Sequence, residues 1–336
     1  MRRLAASLLA TLVACAVEAP APAPVAPEAP PAPAAAMEAP AASAPVPADI
    51  PPPPALEHET VAVDGHAIAV HAKRPAEPWG VIVLVHGRTW SALPDFDLQV
   101  PGARVSLMDN LVATGLAVYA VDLRGYGSTA RDPSGYTNSV QAADDLAHVV
   151  QHVRARHSLA AKPAVLGWSL GARIAALAAQ RHRDDIGPLI LYGTPCTRVR
   201  PVNAKPGPPG PPARAANTEV SARSDFITPD ALEPGVVDAF VAAALKTDPI
   251  KADWLDMPVA PDFSALRTPV LAIHGDRDPV VEPACLREQL ARIPGGAQTV
   301  VLQGFDHAAH LERAAPLFVE TVVGFLRKAG GTAPAG

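Results

Sequence analysis

The chain has 336 residues and a formal net charge of −5. That is long enough for one large α/β domain with additions, and it lacks the basic excess that draws a protein to nucleic acid. Three cysteines with no C-x-x-C spacing, and no H-E-x-x-H, speak against a metal site, and no cofactor is expected. The 39 prolines are spread unevenly and mark where regular structure stops.

Met1 to Ala16 begins with Arg2 and Arg3, continues through the apolar run Leu4 to Val13, and ends in small residues. This is the pattern of a secretion signal, too short for a spanning helix. Its end, Leu12-Val13-Ala14-Cys15, resembles a bacterial lipobox. The resemblance implies a signal peptide over 1–14 and lipidation of Cys15 as the first residue of the mature chain; a non-lipidated signal cut near Ala16 is the alternative. Ala16 rather than Asp after the cysteine resembles Gram-negative lipoproteins exported to the outer membrane, facing the periplasm or the cell surface. Glu18 to Pro54 is nearly all Pro and Ala and has little to bury, so 15–56 reads as anchor and extended linker. At about 3.1 Å per residue it would hold a domain up to roughly 100 Å from its anchor. No later apolar run is long enough to span a bilayer.

The folded domain is expected over 57–330, with a disordered tail over 331–336. Thr60–Val63 and His66–His71 alternate around Asp64-Gly65, a hairpin signal. Val81–Val85 is apolar throughout, the mark of a strand buried on both faces, and runs into His86-Gly87-Arg88. Ser106–Thr114 reads as a short helix. Leu116–Asp122 is the next buried strand, ending in Leu123-Arg124-Gly125-Tyr126-Gly127. Thr137–His157 reads as a long helix with Val140, Ala143, Leu146, Val149, Val150 and Val153 on one face. Ala164–Leu166 leads through Gly167-Trp168-Ser169-Leu170-Gly171 into an alanine-rich helix, and Leu189–Tyr192 is another apolar run. This alternation predicts a mostly parallel central sheet with helices on both faces. Between Thr194 and about Pro261 the pattern breaks: Lys205–Pro212 cannot be helix or central strand, and only Ala231–Leu245 offers a helix. Val270–Ile273, a helix near Pro283–Ile293, the strand Gln298–Leu302 and a helix from about Pro316 complete the domain.

The stretch around Ser169 carries the chemistry. To aim a serine hydroxyl out of a sharp strand-to-helix turn, the backbone at the serine must take a strained left-handed conformation. The residues two before and two after are then pressed together, and Gly167 and Gly171 supply the missing side chains. The turn also leaves the first helical N–H groups unpaired beside the hydroxyl. This G-x-S-x-G elbow resembles that of the α/β-hydrolase family. With it, the segment after Val85, D-x-R-G-x-G after the next strand and the late Asp and His resemble the family over roughly Glu57 to Lys328.

The resemblance implies the chain order Ser, acid, His. It makes Ser169 the nucleophile and His307, just past the last strand, the base; His310, one helical turn on, is the competitor. In His274-Gly275-Asp276-Arg277-Asp278-Pro279 it assigns the acid to Asp278, with Asp276 capping the turn through its own backbone. The oxyanion hole falls to the backbone N–H groups of Arg88 and Leu170, and His86 is structural. The Arg88 side chain either binds a substrate carboxylate or pairs with Asp95 or Asp97. Thr194–Pro261 resembles the family's lid (about 194–261). Gly125–Ala130 also fits G-x-G-x-x-A, but Arg131–Gly135 reads as a loop, so no helix N-terminus is at hand to hold a pyrophosphate.

The expected function is hydrolysis of a small or medium carboxylic ester through an acyl-enzyme. An amide, peptide or C–C hydrolase with the same triad is the alternative within enzymes, and a non-catalytic binding scaffold at the envelope is the alternative outside them. The expected partners are a small-molecule ester and, through the lipid anchor, a membrane. Cys196 and Cys285 each follow the C-terminal end of a core strand, which leaves a disulfide between them open in an oxidising compartment.

Overall fold

The computed structural model describes residues 52–157, 161–196, 212–256 and 260–330. The expected signal peptide, Cys15, nearly all of the linker, the tail and part of the expected lid lie outside the described residues. Among those described, eight strands form one sheet: β1 (Glu57–Val63), β2 (His66–Lys73), β3 (Gly80–Val85), β4 (Leu116–Val121), β5 (Ala164–Trp168), β6 (Leu189–Tyr192), β7 (Val270–Gly275) and β8 (Gln298–Leu302). The order is β1-β2-β4-β3-β5-β6-β7-β8. β2 is antiparallel to both neighbours, and every pair from β4 onward is parallel. The β1–β2 hairpin turns on Asp64 (φ 49) and Gly65 (φ 78). Two left-handed residues in a row make the tight turn whose twist matches that of paired strands.

Helices cover both faces. α1 (Ala92–Phe96), α2 (Leu107–Val112), α5 (Glu219–Arg223), α6 (Val236–Thr247) and α8 (Ala315–Ala329) pack on one side; α3 (Ser139–Arg156), α4 (Leu170–Arg181) and α7 (Pro283–Leu290) pack on the other. β3 shows why its sequence lacks alternation: Ile82 and Leu84 enter the first core, while Val81, Val83 and Val85 enter the second. Side chains start three of the helices, Ser106 accepting from the Asp109 N–H at 3.0 Å, Asn138 from the Gln141 N–H at 2.8 Å and Thr218 from the Ser221 N–H at 3.1 Å.

Three local expectations need correction. Val140 is 43% exposed rather than on the buried face of α3. Stepping back by threes from Leu146 through Ala143 rotates it about 120° off the apolar stripe. The helix expected over Ala231–Leu245 begins at Val236, because Pro229–Ala231 closes a 3-10 turn and Gly235 (φ 82) redirects the chain. The short helices α1 and α5 were not anticipated; each has five residues, too few to show a period.

The described part of the insertion between β6 and β7 is bonded to the loops beside the sheet. Asp248 accepts from the Ser91 N–H at 2.8 Å and from the Gly127 N–H at 2.9 Å, and Trp254 Nε1–H donates to the Tyr126 hydroxyl at 2.9 Å. Cys196, just past β6, and Cys285, in the first turn of α7, form a disulfide with a Cα–Cα distance of 5.9 Å across 89 residues. Closing so long a loop restricts the unfolded chain by about 4–5 kcal/mol in the chain-entropy model.

Candidate functional site

Ser169 joins β5 to α4 with φ 55 and ψ −115, one of three non-glycine residues at positive φ among those described. Such a conformation costs on the order of 1–3 kcal/mol and needs neighbours that enforce it. Its N–H donates to the Tyr192 carbonyl at 2.8 Å, pinning the turn to the end of β6. The two glycines answer different neighbours. A Cβ on Gly167 would lie 2.2 Å from the Gly171 carbonyl oxygen, as the steric argument requires, whereas one on Gly171 would lie 2.2 Å from the carbonyl oxygen of Val85 on β3.

The loop after β8 brings His307 to the same place. His307 Nδ1 lies 2.8 Å from Asp278 Oδ2, with the Asp278 side chain fully buried and the His307 side chain 12% exposed. Asp278 Oδ1 accepts from the Val280 N–H at 2.8 Å, so it is Asp278 that caps its own turn. Asp276 instead reaches across to the Gly304 N–H at 2.6 Å and braces the loop that carries His307. The His307 carbonyl receives Trp168 Nε1–H at 2.9 Å and the Tyr192 hydroxyl at 2.8 Å. Gly193 follows β6 at φ 54, and a Cβ there would stand 2.9 Å from His307 Nδ1 and 3.3 Å from Asp278 Oδ2. Its missing side chain is the space that this pair fills.

His310 is not a surface group. It is fully buried, with Nε2 2.8 Å from the Asp95 carbonyl and Nδ1 3.2 Å from the Tyr192 hydroxyl. Burial lowers its pKa to about 3, so it stays neutral and supports the ring stack of Trp168 and Tyr192. His86 is buried too: Nδ1 meets the Gly87 carbonyl at 2.8 Å and Nε2 accepts the Leu123 N–H at 3.1 Å, a structural role. The Gly87 N–H is occupied by Asp95 Oδ2 at 3.1 Å. The Arg88 and Leu170 N–H groups, by contrast, donate to no acceptor among the described residues. The Arg88 side chain is exposed and pairs with neither expected acid: Asp95 serves Gly87, and Asp97 binds Lys73 at 2.6 Å. Burial raises the Asp95 pKa well above the usual carboxylate range.

Sequence reasoning passed over Gly193, Trp168, Tyr192 and the buried acids Asp306 and Glu312 beside His307. The only signal for Gly193 was negative, the lack of an acid directly after Tyr192. Among the described residues no cluster of His, Cys, Asp and Glu is arranged to hold a metal ion. Gly125–Ala130 closes on itself through a Gly125 N–H to Ala130 carbonyl bond of 3.1 Å, and α3 begins only at Ser139, so no helix opens on it. A cavity of about 630 Å³ opens at the opposite end of the sheet, among Trp79, Leu116, Arg183 and Arg267, and touches none of these groups.

Residues 82–321 match the family model described as Alpha/beta hydrolase family. The chain is 25% identical to a monoacylglycerol lipase of Mycolicibacterium smegmatis over 80% of its own length and 96% of the relative's. It is 30% identical to a pimeloyl-[acyl-carrier protein] methyl ester esterase of Neisseria meningitidis serogroup C, over 65% of this chain and 87% of that one. Among solved structures it resembles a thermophilic esterase of Thermogutta terrifontis, with a TM-score of 0.58 and 22% identity over 81% of this chain and 99% of the other. A mostly parallel eight-stranded sheet, a strained serine turn and a family match across most of the described domain lead to one assignment: the chain belongs to the alpha/beta hydrolase family.

Proposed function

We propose that this chain is a serine hydrolase that cleaves a small or medium carboxylic ester through an acyl-enzyme. The observation that carries the reading is the His307–Asp278 pair at 2.8 Å, set against the strand end to which the Ser169 turn is bonded. In the proposed mechanism Asp278 holds Nδ1–H, which leaves Nε2 as the base. His307 takes the Ser169 proton as Oγ attacks the ester carbonyl, and the oxyanion is met by the Arg88 and Leu170 N–H groups. The imidazolium then gives its proton to the departing alkoxide, releasing the alcohol. Water, deprotonated by His307, attacks the acyl-serine, and the acid leaves as Ser169 recovers its proton. Both relatives named above are, by their names, enzymes of carboxylic esters, which supports an ester over an amide or a C–C bond.

A fluorophosphonate probe tests this. It should label the folded protein once, on Ser169, and Ser169→Ala should abolish labelling and ester turnover together. A stable wild type that resists small and long-chain probes alike sinks the reading.

We further propose that Cys15 is lipidated and that the Pro/Ala-rich stretch tethers the enzyme at the cell envelope. The lipobox-like end of the signal pattern and the scarcity of residues to bury in Glu18–Pro54 support this. Wild type should fractionate with membranes of a Gram-negative host and Cys15→Ser should not; a soluble wild type refutes the anchor.

A further inference from the structure

The insertion brings a carboxylate to the loop that follows β3. Asp225 Oδ2 accepts Trp90 Nε1–H at 2.7 Å, and Trp90 lies just beyond Arg88 on the loop after β3. On the other side of this segment the Ile227 N–H donates to Asp306 Oδ2 at 3.0 Å, and Asp306 immediately precedes His307. Between them Phe226 packs edge-to-face on Phe240 at 5.0 Å, and Phe240 on Trp90 at 6.1 Å. Residues 225–227 are therefore pinned at one end to the loop that holds the Arg88 amide and at the other to the loop that holds His307.

A segment fixed between the oxyanion donor and the base borders the place where the leaving group stands, because the base must protonate the leaving oxygen. Asp225 stands two residues before Ile227, whose N–H is bonded to the residue next to His307. Its second oxygen, Oδ1, accepts no hydrogen bond from the described residues and is not sealed off. A carboxylate with one oxygen unengaged here fits a hydroxyl donor, and charge-assisted bonds of this kind are strong. It does not fit an anion. Burial and the neighbouring Asp306 already push the Asp225 carboxyl up, and a substrate carboxylate would add a third negative charge to the same space.

We propose that Asp225 forms a subsite for the alcohol half of the ester, accepting a hydrogen bond from a free hydroxyl of a polyol such as glycerol and rejecting leaving groups that carry a carboxylate. This rests on the ester-hydrolase reading and narrows its substrate class.

The test uses three butyrate esters with one acyl group: glyceryl monobutyrate, ethyl butyrate, and the ester of butyrate with 3-hydroxypropanoate. Full-length wild type, Asp225→Ala and Asp225→Asn are compared by kcat/KM, with fluorophosphonate labelling of Ser169 as an independent readout. Wild type should prefer the glyceryl over the ethyl ester about tenfold or more, as expected for one charge-assisted bond. In both variants that ratio should fall towards one, through KM more than kcat. Asp225→Asn keeps an acceptor for Trp90, which separates loss of the subsite from collapse of the loop. It should also raise the carboxylate-bearing ester about fivefold or more relative to the ethyl ester, since one repelling charge is gone. A protein that labels and hydrolyses ethyl butyrate, yet shows the same glyceryl-to-ethyl ratio in all three forms, overturns the subsite alone. A protein that neither labels nor cleaves any ester overturns the hydrolase reading, and the subsite with it.

Discussion

The Tyr192 hydroxyl donates to the carbonyl oxygen of His307 at 2.8 Å, while the Tyr192 carbonyl accepts the Ser169 N–H at the same distance. One residue at the end of β6 thus holds the backbone of both the proposed nucleophile and the proposed base. Tyr192→Phe removes only the hydroxyl link, and Trp168 Nε1–H still reaches the same carbonyl at 2.9 Å. The expected result is a fall of about threefold to tenfold in kcat with little change in KM, in line with one net hydrogen bond. Steady-state kinetics beside a Tm measurement check it, and a variant with wild-type kcat shows that Trp168 alone suffices.

The two acids after β7 should separate cleanly. Asp278→Asn leaves the His307 ring without its carboxylate and should lower kcat on the order of 10³- to 10⁴-fold. Asp276→Asn keeps an acceptor for the Gly304 N–H in an exposed position and should lose less than about tenfold. Equal, modest losses in the two variants place the acid elsewhere.

Two buried groups set opposite pH limits on stability. Burial and the adjacent Asp306 push the Glu312 carboxyl up to about 8 from its ordinary value of 4.5. A carboxyl raised in this way stabilises the fold fully below 4.5, and that contribution is lost as pH rises towards 8. Burial takes His310 down from 6.5 to about 3. Its contribution is full above 6.5 and is lost as pH falls towards 3. Denaturant midpoints measured from about pH 4 to pH 8.5 should therefore peak near pH 5–6.5. Glu312→Gln should flatten the alkaline fall and leave the acid fall intact; an unchanged alkaline slope removes Glu312 as its source.

Much of the scaffold was legible before any coordinates. Gly80–Val85, Leu116–Val121 and Leu189–Tyr192 announce themselves because a strand buried on both faces has no polar side. The elbow was legible because Gly167 follows from sterics at the serine, whereas Gly171 answers the Val85 carbonyl on β3. What escaped notice depends on contacts between residues far apart in the chain. The resemblance picks out Asp278 over Asp276, but the bond from the Gly304 N–H to Asp276 follows only from where the loop after β8 comes to rest. Gly193 looks like any turn glycine until His307 lies against it. Asp225 acquires meaning only from Trp90, 135 residues earlier, and from Asp306. The Cys196–Cys285 pairing, left open by the sequence, is decided by the position of α7.

β1 runs in the same direction as β4, with β2 antiparallel between them. Pro52–Leu56 therefore enters at the end of the sheet where β3 to β7 begin, and Ser169 stands where β5 ends. Pro52–Leu56 and Ser169 therefore lie at opposite ends of the sheet. The anchor proposed above would thus join the domain at the end of the sheet away from Ser169.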